Sequence, residues 1–176
     1  MKKILFLLFI SVVIPACLYF ALDRENIDIN KFRLNSGYQE VNLSDGITSF
    51  KDIGDKNNKV IVLVHGATFG SLAYEEYVNV FLENNYRVIT YDQYGRGFSD
   101  RVHNDVSIEL MEKQLKELIK HCEVEDVILY GVSFGAAVVA KYAANNPEKI
   151  SFIGYQVPLI NLSLIHISEP TRLSWI

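Results

Sequence analysis

Val60-Ile61-Val62-Leu63-Val64 is apolar without a break and mostly β-branched. A strand with one wet face alternates polar and apolar residues. An unbroken run suits a strand buried on both faces of a parallel sheet. Such a sheet needs helices above and below it, and the chain supplies them in alternation. Tyr38 to Leu43 reads as a strand, Asp45-Gly46 as a hairpin turn and Ile47 to Ile53 as the returning strand. After the buried run, Tyr74 to Leu82 reads as a helix and Tyr86 to Tyr91 as the next strand. In Ser107 to Cys122, the residues Ile108, Met111, Leu115, Leu118, Ile119 and Cys122 make one apolar helix face. Glu109 with Lys113, and Glu112 with Lys116, are spaced as i,i+4 ion pairs on its wet face. Asp126 to Tyr130 reads as a strand, Phe134 to Ala144 as a helix stopped before Pro147, and Ile150 to Val157 as a final strand. The predicted class is α/β: a mainly parallel sheet with helices on both faces.

Gly131-Val132-Ser133-Phe134-Gly135 lies between the strand at Asp126 and the helix at Phe134. This is a G-x-S-x-G on a strand, a sharp turn and a helix start, the context such a motif needs. Gly131 and Gly135 let the chain reverse tightly enough to stand Ser133 above the sheet edge. The chemistry this implies is a serine nucleophile, and hence acyl transfer or ester hydrolysis. In parallel α/β sheets ligands bind at the carboxyl ends of the strands. His65-Gly66, Asp92 and Ser133 all fall at those ends.

Composition narrows the partners. The 176 residues are 49% hydrophobic and 22% charged, and the net charge of −4 gives no basic footprint for nucleic acid. Gly95 and Gly97 read as turn residues; no G-x-x-x-x-G-K-S/T phosphate loop is present, and neither a cofactor nor a metal is expected. Cys17 lies in an apolar leader, which leaves Cys122 as a lone core thiol.

Lys2-Lys3 precede an apolar run from Ile4 to Leu22, broken by Ser11 and Pro15. A basic start followed by such a run is a secretory signal or an anchor. The ranked readings are a membrane anchor with the domain extracytoplasmic, then a lipoprotein with Cys17 at its processing site, then a secreted protein. Residues 1–22 are therefore assigned to the signal or anchor, 23–36 to a linker and 37–161 to the folded core. Residues 162–172, Leu-Ser-Leu-Ile-His-Ile-Ser-Glu-Pro-Thr-Arg, resemble the translation of a transposase-type sequencing adapter. Residues 162–176 are set aside as a non-native tail, with the natural sequence expected to be cut off near Asn161.

Three motifs together resemble the α/β-hydrolase superfamily, of serine esterase or lipase type: Val64-His65-Gly66-Ala67, Tyr91-Asp92-Gln93-Tyr94-Gly95-Arg96-Gly97-Phe98-Ser99-Asp100, and the Ser133 turn. The likeness runs from about Tyr38 to Ile160, the N-terminal half of such a domain, so the fold is expected to be C-terminally truncated. The resemblance implies Ser133 as nucleophile and the backbone N–H groups of Ala67 and Phe134 as oxyanion donors. His65, Gly66, Asp92, Gly131 and Gly135 would shape the site. It implies a small-molecule ester or acyl substrate. Dehalogenases and epoxide hydrolases of the family carry Asp at the elbow, where this chain has Ser133.

The chain order in this fold is nucleophile, acid, then His. His65 therefore reads as a residue shaping the oxyanion loop, and His103 and His121 as solvated positions. Asp92 reads as a brace for the Gly95–Ser99 turn, and Arg96 as a local partner of Asp92 or Asp100. After Ser133 come Glu148, ahead of the last strand, and His166 and Glu169 in the tail. The acid and base of a triad are absent from the chain as read, so the fragment is expected to be nearly inactive. The alternatives are a non-catalytic binding protein on the hydrolase fold, and C–C or peptide-bond hydrolysis on the same fold.

Overall fold

The computed structural model describes residues 9, 11–19, 36–102 and 106–156. The chain divides into two compact units, residues 1–32 and 33–176. In the first, 11–19 are helical. Among the described residues no helix is long and apolar enough to cross a membrane. Linker residues 23–35, His103, the tail, and residues 4–8, 10 and 20–22 of the Ile4–Leu22 run lie outside the described residues.

The second unit is built on one six-stranded sheet: β1 (Gln39–Asn42), β2 (Ile47–Ile53), β3 (Val60–Val64), β4 (Arg87–Tyr91), β5 (Val127–Val132) and β6 (Ile150–Gln156). The spatial order is β1-β2-β4-β3-β5-β6. β2 runs antiparallel to β1 and β4, and β3 to β6 are mutually parallel. Helices α1 (Glu75–Glu83), α2 (Ile108–His121) and α3 (Phe134–Asn145) make the crossovers. The mainly parallel sheet expected from the strand–helix alternation is thus present.

Every residue of β3 is buried, and its side chains divide between two cores. Val60, Val62 and Val64 pack with α2 and α3 side chains such as Met111, Leu115, Val138 and Val139. Ile61 and Leu63 pack with Tyr74 and Val78 on the α1 side. This division is the reason the run has no polar position. At roughly 25 cal/mol per Å² of apolar surface removed from water, a fully buried Val, Leu or Ile contributes about 1.5–3 kcal/mol.

α2 begins where Ser107 caps it, its side chain accepting from Leu110 N–H at 3.1 Å. The expected i,i+4 ion pairs on its wet face do not form. Lys113 meets Asp45 of the β1–β2 turn at 2.8 Å, and Glu109 meets Lys141 of α3 at 3.6 Å. The neighbouring hairpin and helix come within reach of these side chains, so the charges tie elements together. Two boundaries also shift. A 3-10 turn, Ser71–Tyr74, precedes α1, and β5 continues through Gly131 and Val132.

Candidate active site

The chain leaves β3 and forms β4 on one side, then crosses to form β5 on the other. The carboxyl ends of β3 and β5 therefore flank the point where the chain direction around the sheet reverses, the position at which sheets of this kind form their crevice. Ser133 stands at that point, directly after β5 and at the N-terminal boundary of α3. Its backbone has φ 52° and ψ −116°, a region that costs an L-residue of order 1–3 kcal/mol.

Both motif glycines are required by contact. A Cβ on Gly131 would lie 2.7 Å from Ala136 Cα and from the Gly135 carbonyl oxygen. A Cβ on Gly135 would run into the carbonyl oxygens of Val64 and His65. The start of α3 therefore packs backbone to backbone against the end of β3. Ser133 N–H donates to the Gln156 carbonyl at 3.0 Å, fixing the turn to the end of β6. The Ser133 side chain does not cap α3, and the first N–H groups of a helix have no partner within it. Phe134 N–H is one of these.

The loop after β3 lies against the serine. A Cβ on Gly66 would be 3.3 Å from Ser133 Cβ and 3.9 Å from Ser133 Oγ. Gly66 thus lies against the Ser133 side chain. His65 is buried beside it, and both its ring nitrogens are engaged. Nε2 accepts from Gln93 N–H at 2.8 Å, so the proton sits on Nδ1, which donates to the Gly66 carbonyl at 2.7 Å. Gln93 Nε2 also donates to the His65 carbonyl oxygen. Burial holds the imidazole below its usual value and keeps it neutral. With these partners His65 has no free nitrogen to take the Ser133 proton.

Asp92 is buried at the end of β4 and joins two loops. Its Oδ1 accepts from Ser71 N–H at 2.7 Å and from Ser71 Oγ–H at 2.8 Å; its Oδ2 accepts from Phe98 N–H at 2.9 Å. Gly97 has φ +46°, and a Cβ there would collide with the Asp92 carboxylate. Arg96 does not depend on the acids suggested for it. Its Nε–H donates to the Ala67 carbonyl at 2.7 Å and its Nη1–H to the Tyr94 carbonyl at 3.3 Å. Asp92 serves Ser71 and Phe98, and Asp100 Oδ2 accepts from Ile47 N–H.

Three members of this network escaped the sequence reading. Gln114 donates to Thr48 Oγ1 at 2.8 Å and to the Asp92 carbonyl at 3.1 Å, and accepts from Tyr94 N–H at 3.1 Å. Ser99 Oγ donates to the Asp92 carbonyl at 2.6 Å, and Gln93 closes on His65. A signal existed for Gln114: it is a polar residue next to Met111 and Leu115 on the buried face of α2. Glu148 lies in the 3-10 turn Pro147–Lys149 ahead of β6, at the amino edge of the sheet. His121, the last residue of α2, stacks edge-on against Phe50 at 5.7 Å. Cys122 is buried, and burial pushes its thiol up to about 11. Among the described residues no group of His, Cys, Asp and Glu could hold a metal ion.

Comparison with known proteins agrees with this geometry. A family model described as alpha/beta hydrolase fold matches residues 59–153. The chain is 33% identical over 112 residues to a 2-hydroxy-6-oxo-2,4-heptadienoate hydrolase of Pseudomonas putida, covering 61% of this chain and 40% of that protein. It is 28% identical over 109 residues to a bifunctional esterase/perhydrolase of Acinetobacter calcoaceticus, covering 61% and 40%. An esterase structure from Exiguobacterium antarcticum superposes with a TM-score of 0.64 at 25% identity, covering 68% of this chain and 45% of that one. The chain spans 27–40% of the length of the curated relatives it matches. The crevice at the carboxyl ends of β3 and β5, with Ser133 on its strained turn, lies within the matched segment, and the chain belongs to the α/β-hydrolase family.

Proposed function

We propose that the whole protein is a serine hydrolase of carboxylic esters, with Ser133 as nucleophile. The observation that supports this reading is the approach of Gly66 to Ser133, where a Cβ on Gly66 would lie 3.3 Å from Ser133 Cβ and 3.9 Å from Ser133 Oγ. In the acylation step Ser133 Oγ bonds to the ester carbonyl carbon and the carbonyl π pair moves onto oxygen. The resulting oxyanion is met by Ala67 N–H and Phe134 N–H. The pair then returns and expels the alcohol, and water later releases the acid. Preorganised donors of this kind contribute about 3–4 kcal/mol each to the transition state. The base that takes the Ser133 proton, and the acid that orients it, are assigned to the later strands of such a domain. A serine, and not an aspartate, at the elbow favours ester over carbon–halogen or epoxide chemistry. The lysines ahead of the Ile4–Leu22 run support a domain held outside a membrane.

The heptadienoate hydrolase relative favours a second reading, hydrolysis of a carbon–carbon bond by the same serine and donors. The test is labelling of the protein, expressed from the whole source gene, with a fluorophosphonate probe. Labelling is expected, and Ser133→Ala abolishes it. Absence of labelling in a folded protein favours a non-catalytic binding role. Activity on short-chain p-nitrophenyl esters against a vinylogous 1,5-diketone then separates ester from carbon–carbon hydrolysis.

A further inference from the structure

The proposed oxyanion donor sits on an exposed piece of chain. Ala67, Thr68 and Phe69 are all exposed, and Phe69 is 72% accessible. A donor must be aimed before the charge develops, so something has to hold this stretch. Ala67 N–H lies in the Gly66–Ala67 peptide plane, and that plane can still tilt unless the Ala67 Cα at its end is held by the next peptide. The Gly66–Ala67 plane is held at its far side, because Gly66 C=O accepts from His65 Nδ1–H. The plane after it is held by Arg96, whose Nε–H meets Ala67 C=O at 2.7 Å. Among the described residues this is the one hydrogen bond made to Ala67, Thr68 or Phe69. The guanidinium is itself held by Nη1–H on the Tyr94 carbonyl, and the Arg96 backbone by its N–H on the Gln93 carbonyl at 2.9 Å.

We propose that Arg96 is a positioning residue for the oxyanion hole: it locks the Ala67–Thr68 peptide and so aims Ala67 N–H at the carbonyl oxygen of the substrate. The proposal rests on the serine-hydrolase reading above. It gives Arg96 a role through backbone geometry, with no contact to substrate. Its fork is what matters, since two donors in one rigid plane reach two carbonyls at once; a lysine offers one ammonium on a flexible stem. Displacing a reacting group by about 1 Å can cost roughly 100-fold in rate.

The test compares the unsubstituted protein with Arg96→Met and Arg96→Lys, using one neutral and one carboxylate-bearing ester. Arg96→Met is expected to lower kcat roughly 10- to 100-fold on both esters with little change in KM. Binding of a trifluoromethyl ketone, which adds Ser133 Oγ to form a stable oxyanion, should weaken by the same factor. Arg96→Lys should recover less than a tenth of the lost rate, and the melting temperature of all three proteins should agree closely. The proposal is overturned if Arg96→Met keeps its kcat while Ser133 still labels. It is equally overturned if the loss is confined to the anionic ester and Lys restores it, which would make Arg96 a substrate contact. A fall in kcat that tracks a fall in melting temperature would assign Arg96 to folding instead. If the unsubstituted protein shows no Ser133-dependent labelling, the hydrolase reading itself fails, and that result is distinct from the other three.

Discussion

Three non-glycine residues among those described have positive φ: Asn85, Glu123 and Ser133. Asn85 and Glu123 follow the ends of α1 and α2, where a left-handed residue commonly terminates a helix. Ser133 lies at the opposite end of its helix, where the backbone is ordinarily extended. Helix termination therefore does not account for its strain, and the packing of Gly131 and Gly135 does. Gly135→Ala drives a Cβ into backbone that cannot move aside, and the expected loss is about 3 kcal/mol or more. Gly95 has φ +77° with open space around it, so Gly95→Ala should lose only about 1–2 kcal/mol of left-handed strain. Urea unfolding of the two variants measures the difference. Equal losses would mean that the α3–β3 contact yields more readily than its geometry suggests.

Among the elements, the pair Arg87–Asp52 joins three that the chain separates widely. Arg87 at the start of β4 donates from Nε and Nη2 to both oxygens of Asp52 on β2, at 2.8 and 2.7 Å. Nη2 also donates to the Cys122 carbonyl at the end of α2, at 2.9 Å. The Arg87 side chain is 5% exposed, so breaking the pair leaves a carboxylate and a carbonyl short of partners. Arg87→Met should destabilise by about 3–5 kcal/mol, and the double variant with Asp52→Leu should recover part of that loss. A denaturation-based double-mutant cycle reads the coupling. Nothing in the residue pattern announced this pair, because a β4 residue meets β2 only through sheet order. The same limit explains the misread wet face of α2: the i,i+4 rule sees one helix, while Asp45 and Lys141 arrive from other elements. The strands and helices themselves were legible, because burial on two faces and on one face leave different periods. Ser133 and its glycines were legible because steric need is local to the motif. The polar network of Gln93, Ser99 and Gln114 was not, since hydrogen bonds made across the fold have no spacing rule.

The stability of the whole unit carries the titration of His65. In the folded state burial holds this imidazole below the 6.5 of an unfolded chain. The unfolded state therefore binds the proton more readily, and stability depends on pH through that difference. The contribution is complete above pH 6.5 and is lost as the pH falls through the folded value. The urea midpoint should decline on acidification below 6.5. In His65→Gln, where no proton can be taken up, the slope over that window should be shallower. A slope unchanged by the substitution would assign the acid sensitivity to other groups.

Asp92 has one more implication, for how such a protein can vary over time. One carboxylate holds the loop that follows β3 through Ser71 and the loop that follows β4 through Phe98. The two loops are therefore inherited as one part. Side chains between the fixed ends, at Thr68 or Phe69, are free to drift, and with them the shape offered to a substrate. Loop lengths are not free, because an inserted residue on either side would unseat the shared anchor and disturb both walls of the crevice together. Diversification at this rim should proceed by substitution and leave the spacing intact.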